Sequence, residues 1–299
     1  MDMQINYLYR DQLIGPHQIA FDITNKCNLR CLHCFNSSGE NHVLDDELSD
    51  NCVRDFIDSV IPLHLYNFCF CGGEPLLRKD LLLHCSKKLR DEGCIVSIVS
   101  NGLLATSSTI DELIESGVRN IQFSLDGAKA ESHDRLRNQQ GAYDKVIEAI
   151  KYTSKHDDVQ LSIAFTPTTF NCHEFQDVYN FLILVQKESR LKKPIRLRLQ
   201  PLMPIGRAAS NLDGIIPTNI QYRKLIYNII KLTKGDITVE WGDPIDHLIR
   251  YSEKKLSLNM CSIRANGDIT VSPYIPLIVG NIRKHTLKEY WENGLNSIW

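Results

Sequence analysis

Residues 17–200 repeat one unit, an apolar strand-like run followed by a helix-like run, and no other feature restricts the fold of this chain so much. Strands are read at 17–24, 65–71, 94–99, 119–125, 159–165 and 195–200. Helix-like stretches separate them at 45–60, 80–92, 109–116, 142–156 and 173–188, the first beginning after a cap at Asp45 or Asp46. Strands joined through helices imply parallel βαβ units. Six units are too few for an eight-stranded barrel but enough for an open one, so the expected fold class is α/β, a partial (β/α)6 TIM-like barrel. Function in such barrels sits at the C-terminal ends of the strands. Every unusual polar cluster falls at such an end: Cys27, Cys31 and Cys34; Gly72-Gly73-Glu74-Pro75; Ser100-Asn101-Gly102; and Ser124-Leu125-Asp126-Gly127.

Residues 204–218, rich in Pro, Gly, Ala and Asn, read as a loop or linker before a helix at 219–233 and a strand at 236–241. A tail from Cys261 carries its own hairpin, turned at Asn266-Gly267, a strong turn signal. The expected organisation is an N-terminal lead over 1–16, a barrel core over 17–205, a linker with helix and strand over 206–260, and a small hairpin-plus-helix extension over 261–299. With 34 basic and 36 acidic residues the formal charge is −2, so nothing draws the chain as a whole to nucleic acid or an anionic membrane. The basic stretch Arg190, Lys192, Lys193, Arg196 and Arg198 reads as a solvated face. No run of about 18 apolar residues and no signal-peptide pattern occurs, so a cytoplasmic protein is expected.

Ten cysteines would be a poor disulfide framework in a reducing compartment. Three of them lie within eight residues, at 27, 31 and 34. Tight clustering is the pattern of metal ligation. A 4Fe–4S cube is satisfied by four thiolates; three leave one iron open to substrate or cofactor. Zinc is the rival, although structural zinc takes four ligands in two spaced pairs; His33 is the candidate fourth ligand. Cys69 and Cys71 are two apart on a strand and so share a face. Each reads either as a small buried core residue or as a group near the site.

The run Cys27-Asn28-Leu29-Arg30-Cys31-Leu32-His33-Cys34-Phe35 resembles the signature of the radical S-adenosylmethionine (SAM) superfamily, and further motifs extend the resemblance over residues 17–205. The resemblance implies one 4Fe–4S cluster on Cys27, Cys31 and Cys34, with the open iron chelated by the amino and carboxylate groups of SAM. Reduction then cleaves the sulfonium and yields a 5′-deoxyadenosyl radical that removes hydrogen from substrate. Phe35 resembles the residue whose backbone reads adenine, core packing being its other use. Gly72, Gly73, Glu74 and Pro75 resemble the motif that meets the methionine amino group. Ser100, Asn101, Ser124 and Asp126 suit the ribose diol and SAM carboxylate, turn formation being the alternative. Arg137 resembles an arginine that pairs with the SAM carboxylate, with Arg135 as its substitute; Gln200 would face the adenosyl group and Leu202 would pack on adenine. No catalytic residue is assigned, though Cys172 or Cys261 could donate a hydrogen atom through a weak S–H bond.

From Cys261 the chain resembles the start of the SPASM or twitch extensions that carry auxiliary clusters, through Asn266-Gly267-Asp268, Pro273, Gly280-Asn281-Ile282, Leu287 and Trp291. Where that pattern places a second cysteine, this chain has Ser272-Pro273-Tyr274, and no cysteine follows before Trp299. One thiolate does not anchor a cube. The expectation is a degenerate extension without a cluster, its hairpin and final helix closing the open side of the barrel. Radical modification of a ribosomally made peptide is the activity the resemblance implies. The alternatives are a small-molecule substrate such as a tetrapyrrole, sugar or nucleoside, and a non-catalytic iron–sulfur or zinc-binding protein. Implied partners are the substrate and an electron donor such as flavodoxin or ferredoxin. Because the cysteine loop begins at residue 27, a peptide leader would be held by the barrel, the tail or a separate leader-peptide-binding protein.

Overall fold

A computed structural model describes residues 13–40, 46–232, 236–242 and 260–295. Most of the expected lead, the cap at Asp45, and the end of the chain after residue 295 lie outside the described residues. Strands β1 (Gln18–Thr24), β2 (Asn67–Gly72), β3 (Ile95–Ser100), β4 (Val118–Ser124), β5 (Gln160–Phe165) and β6 (Arg196–Leu199) lie side by side in chain order, all parallel. Between them run α1 (Asp50–Val60), α2 (Lys79–Asp91), α3 (Ser107–Glu115), α4 (Ala130–Arg137), α5 (Ala142–Thr153) and α6 (Phe175–Glu188). This is the expected partial TIM-like barrel.

Period-two alternation sorts each strand. Ile19, Phe21 and Ile23 of β1, Phe68 and Phe70 of β2, Ile121 and Phe123 of β4, and Leu161, Ile163 and Phe165 of β5 are at most 1% exposed and pack in the layer between sheet and helices. Burying each contributes roughly 1.5–3 kcal/mol. The intervening residues point the other way: Asp22, Asn67, Cys69, Cys71, Ser97, Asn120, Gln122, Ser162 and Arg198 line one cavity of about 690 Å³. Closed eight-stranded barrels fill this space with branched apolar side chains. Here polar side chains share the lining with apolar ones and the space is open.

Three elements differ from the sequence reading. Helix α1 starts at Asp50, later than expected, because Ser49 caps it by accepting from the Cys52 N–H at 3.3 Å. Helix α4 was not anticipated: its sequence, AESHDRLR, has no apolar stripe, yet His133, Leu136 and Arg137 are buried. The presumed linker at 204–218 contains helix α7 (Arg207–Ile215), which Ala208 and Ile215 anchor to Leu202 in a small separate apolar cluster. Helix α8 (Asn219–Leu232) follows as read.

The sheet is longer than six strands at both edges. Strand β7 (Thr238–Trp241) adds parallel to β6. On the opposite edge β8 (Met260–Ile263) adds parallel to β1, and β9 (Asp268–Ser272) and β10 (Ile275–Asn281) continue as an antiparallel hairpin. Gly267, at φ +90°, makes the β8–β9 turn, a backbone region that glycine enters without steric cost. Helix α9 (Leu287–Glu292) closes the tail with a Thr286–Glu289 capping box, and Trp291 donates to the Leu13 carbonyl at 2.9 Å. Cys261 sits opposite Ile19 in register and is fully buried, its thiol pushed up to about 12 by burial. Cys261→Ala should therefore leave iron at about four atoms per chain, the content of one cube. Eight in the wild type falling to four in the variant would show instead that the tail holds a second cluster. No helix among the described residues is long and apolar enough to cross a membrane.

Candidate active site

The cysteine loop is tied at its neck before any cofactor is considered. Glu47 accepts from the Asn25 N–H at 2.6 Å and the Thr24 hydroxyl at 3.0 Å, and the Gly39 N–H returns to the Asn25 carbonyl at 2.8 Å. Arg30 bridges the carbonyls of Cys27, Leu29 and Gly39 at 2.9, 2.9 and 2.6 Å. A second arginine arrives from far along the chain. Arg207, at the start of α7, donates to the carbonyls of Ser38 at 2.8 Å and Cys31 at 3.2 Å and pairs with Glu40 at 2.7 Å, while the Ala208 N–H reaches the Cys34 carbonyl at 3.2 Å. Gly206 permits this approach, since a Cβ there would lie 2.3 Å from the Phe35 carbonyl oxygen. Charge-assisted hydrogen bonds contribute about 1.5–3 kcal/mol each when buried, less at this partly open position. Arg207→Ala should lower unfolding stability by about 2 kcal/mol and speed bleaching of the visible chromophore in air. Equal stability and equal bleaching would show that α7 is a bystander.

All three thiols line the cavity, and each sulfur faces an N–H donor. Cys27 Sγ meets the Leu29 N–H at 3.4 Å and the Asn101 amide at 4.0 Å, Cys34 Sγ the Ser38 N–H at 3.4 Å, and Cys31 Sγ the Arg137 guanidinium at 3.8 Å. Burial pushes the Cys27 thiol up to about 11 and also raises Cys31. Three adjacent thiolates thus need a cationic partner, and the N–H donors suit the sulfurs of a metal-bound cluster. Among the described residues no three Cys, His, Asp or Glu side chains converge to hold a single metal ion. A zinc site completed by His33 has no geometry behind it, whereas a cube held at three corners keeps its thiols apart.

The glycine pair has a structural cause that its sequence did not show. A Cβ at Gly72, whose φ is +124°, would stand 2.2 Å from the Thr24 carbonyl oxygen, and one at Gly73 would stand 2.1 Å from that of Lys26. These glycines let β2 press against the cysteine loop, and their own backbone lines the cavity. Glu74 is not among the residues that line the cavity. It is fully buried behind the wall, where its carboxylate accepts from the Asn101 N–H at 2.8 Å, the Ser100 hydroxyl at 3.0 Å and the Leu76 N–H at 3.1 Å. Burial raises it to about 7 against those donors. Pro75 is likewise buried, opening a 3-10 turn over Pro75–Arg78. Ser100, Asn101 and Ser124 do line the cavity, and the Asn101 amide donates to Asn28 Oδ1 at 2.8 Å.

Asp126 is also behind the wall, fully buried, accepting from the Thr166 N–H at 2.7 Å and pairing with Arg137 at 2.5 Å. Burial alone would raise its carboxyl, but the Arg137 guanidinium, helped by the Thr166 N–H, outweighs that and holds it below the usual carboxylate range. Burial pushes His33 and His133 down to about 4, so both rings are neutral. Arg137 reaches the cavity from α4, fixed between Asp126 and Cys31. Arg135 instead lies over the Phe170 ring at 4.4 Å.

At the mouth Phe35 is 39% exposed, its ring 6.2 Å from that of Tyr274 in the β9–β10 turn, and Gln200 donates to the Tyr274 hydroxyl at 3.2 Å. The hairpin carried on the β1 edge thus reaches the end of β6 and closes the open side of the cavity. Leu202 packs with Ala208 and Ile215, near Leu32 and Phe170, and is not among the cavity's lining residues. Arg207, Asn28, His133 and Tyr274 were missed. Only His133 left a signal, its four-residue spacing from Arg137 on one helical face.

A parallel partial barrel with a three-thiol loop at the mouth of its first strand, backed by a glycine pair from the second, defines an iron–sulfur enzyme of the strand-end type. The chain belongs to the radical SAM superfamily, whose family model matches residues 21–182. Enzymes of this superfamily bind a 4Fe–4S cluster and SAM. An AdoMet-dependent heme synthase of Methanosarcina barkeri is 26% identical over 94% of this chain and 83% of that protein. The mycofactocin maturase MftC of Mycolicibacterium smegmatis is 28% identical over 96% of this chain and 71% of its own length. Among solved structures, Streptococcus suis SuiB bound to S-adenosylmethionine superposes with a TM-score of 0.71 at 14% identity, over 96% of this chain and 69% of SuiB, which bears on the fold.

Proposed function

We propose that this enzyme modifies a ribosomally made peptide by radical chemistry. The observation that carries the reading is one continuous cavity, running from the three thiols to a lumen where Asn67, Ser97, Asn120, Gln122 and Arg198 stand among apolar side chains. Polar groups spread through such a wall offer hydrogen bonds to a peptide's amides. The PqqA peptide cyclase, a relative named for a peptide, and the SuiB structure bound to precursor peptide SuiA support it, alongside the maturase MftC.

In this reading Cys27, Cys31 and Cys34 hold the cluster. When bound, the cluster and SAM supply reductive cleavage of the sulfonium and a carbon radical able to take a hydrogen atom. The chain's own residues position and shield. Gly72 and Gly73 present backbone groups to the methionine amino end, Ser100, Asn101 and Ser124 offer polar groups to the ribose, and Arg137 offers its guanidinium to the carboxylate. Glu74 and Asp126 act behind them, the first bracing Ser100 and Asn101, the second aiming Arg137. Phe35, Gln200 and Tyr274 cover the adenosyl side and exclude water. A flavodoxin- or ferredoxin-type protein would supply electrons, and a separate protein could present the leader.

The test is anaerobic reconstitution followed by dithionite and SAM. Release of 5′-deoxyadenosine, with a mass or stereochemical change in a short peptide encoded beside the gene, is the expected result. Loaded protein that leaves SAM intact would sink the enzymatic reading. The likeness to heme synthases favours a second reading, a tetrapyrrole substrate, and turnover of a tetrapyrrole with no peptide change would select it.

A further inference from the structure

Five of the cysteines outside the cluster loop are accounted for by packing or exposure: Cys85, Cys94, Cys172 and Cys261 are buried in the apolar core and Cys52 is exposed. Cys69 and Cys71 are different. They alternate with Phe68 and Phe70 on β2, so both face the lumen, and their sulfurs lie 3.4 Å apart. They line the same cavity as the three cluster thiols, and Cys71 immediately precedes the glycine pair.

Resting on the radical SAM peptide reading above, we infer that Cys69 and Cys71 form a thiol pair that returns a hydrogen atom to the substrate radical and becomes an intrastrand disulfide. An S–H bond is weaker than an alkyl C–H bond, so a thiol quenches a carbon radical where the hydroxyls and amides along this wall do not. Cys71 is held as the protonated thiol, its pKa raised first by its contact with Cys69 and then by burial. Asp22 faces Cys71 directly across the β1–β2 pair. Arg198 also lines this part of the lumen.

The step balances. The Cys71 S–H bond breaks homolytically, its hydrogen atom makes the new substrate C–H bond, and a thiyl is left on Cys71. Cys69 then gives its proton to Asp22 as its sulfur joins that of Cys71, and the resulting three-electron bond releases one electron to the iron–sulfur cluster oxidised during SAM cleavage. Two thiols become one disulfide, with one hydrogen atom, one proton and one electron passed on. Residues two apart on an extended strand have Cα atoms about 6.7 Å apart, at the upper end of disulfide geometry. Strained disulfides are the easily reduced ones, as a pair that must reset each cycle requires. A thiol donor commits the product to inversion or hydrogen return without net oxidation of the substrate.

The experiment uses the loaded full chain and SAM alone, in D2O. The cluster is reduced photochemically, excess reductant is removed, and SAM is added for one turnover. With no substrate between, the radical should take deuterium from Cys71, because exchanged O–D and N–D bonds are too strong to give it up. Wild type should therefore yield singly deuterated 5′-deoxyadenosine and a proteolytic fragment spanning β2 that is 2 Da lighter and resists alkylation. Cys71→Ser should keep the visible absorbance and 5′-deoxyadenosine but lose the label, and Cys69→Ser should keep the label but form no disulfide. Cys71→Ala serves if the serine misfolds. Unlabelled 5′-deoxyadenosine from wild type with both thiols free to alkylate overturns the pair while leaving the radical SAM reading intact. No 5′-deoxyadenosine at all overturns both.

Discussion

Cys31→Ala should lose the broad visible absorbance of the cube, with iron falling from about four atoms per chain toward none and SAM cleavage falling with it. Of the three thiols Cys31 is the most enclosed, 8% exposed and faced by Arg137 at 3.8 Å. A cube held at only two corners loses its anchor, and Arg137 loses one of the two groups that hold it in place. The fold should survive, since removing one small buried side chain costs about 1–2 kcal/mol. Iron by colorimetric assay, absorbance near the cluster band and far-ultraviolet circular dichroism decide the matter together. Iron retained near four with unchanged absorbance would mean that the loop is not the cluster site.

Gly73→Ala should remove the cluster nearly as completely while leaving every cysteine in place. The added Cβ would stand 2.1 Å from the Lys26 carbonyl oxygen and 2.7 Å from that of Asn25. Both obstacles are backbone, so no rotamer change relieves them, and the loop carrying Cys27 must shift by about 1 Å, beyond what a rigid cofactor site tolerates. Iron retention should drop at least tenfold. Gly214→Ala in α7 is the control, because nothing lies within 4 Å of its Cβ, and a helical Gly-to-Ala change is expected to stabilise by about 0.4–1 kcal/mol. Wild-type iron in Gly73→Ala would show that the glycine pair serves only to approach ligand and not to seat the loop.

The strands were legible because alternating residues such as Ile19, Phe21 and Ile23 must be dry, and that periodicity survives in sequence. The triplet and the strand-end motifs were legible for a similar reason, since each is local. Helix α4 was not, because burial of His133 and Arg137 depends on the Asp126 carboxylate, which reverses the usual reading of polar residues. Arg207 was invisible because its partners are loop backbone and Glu40, and Ser38 is 169 residues away. That Glu74 and Asp126 stand behind the cavity wall was not legible, because strand-end position does not say whether a carboxylate points into the cavity or behind it. Alternation shows that two faces of a strand differ. It does not show that the polar face of six strands encloses a space.

That enclosed face has a consequence for selectivity. Ser97 accepts from the amides of Asn67 at 2.7 Å and Asn120 at 3.0 Å, Asn67 also donates to the Ile95 carbonyl at 2.9 Å, and Gln122 accepts from Arg198 at 3.0 Å. The lining side chains are thus already engaged with one another, and a guest meets donors and acceptors that are oriented before it arrives. Displacing water from a group without replacing its bond costs about 1–3 kcal/mol, which is roughly a factor of 5 to 150 in affinity. Two mismatches multiply. These side chains belong to the strands and not to the cysteine loop, so substitution there should change discrimination among guests while the radical-generating end stays as it is.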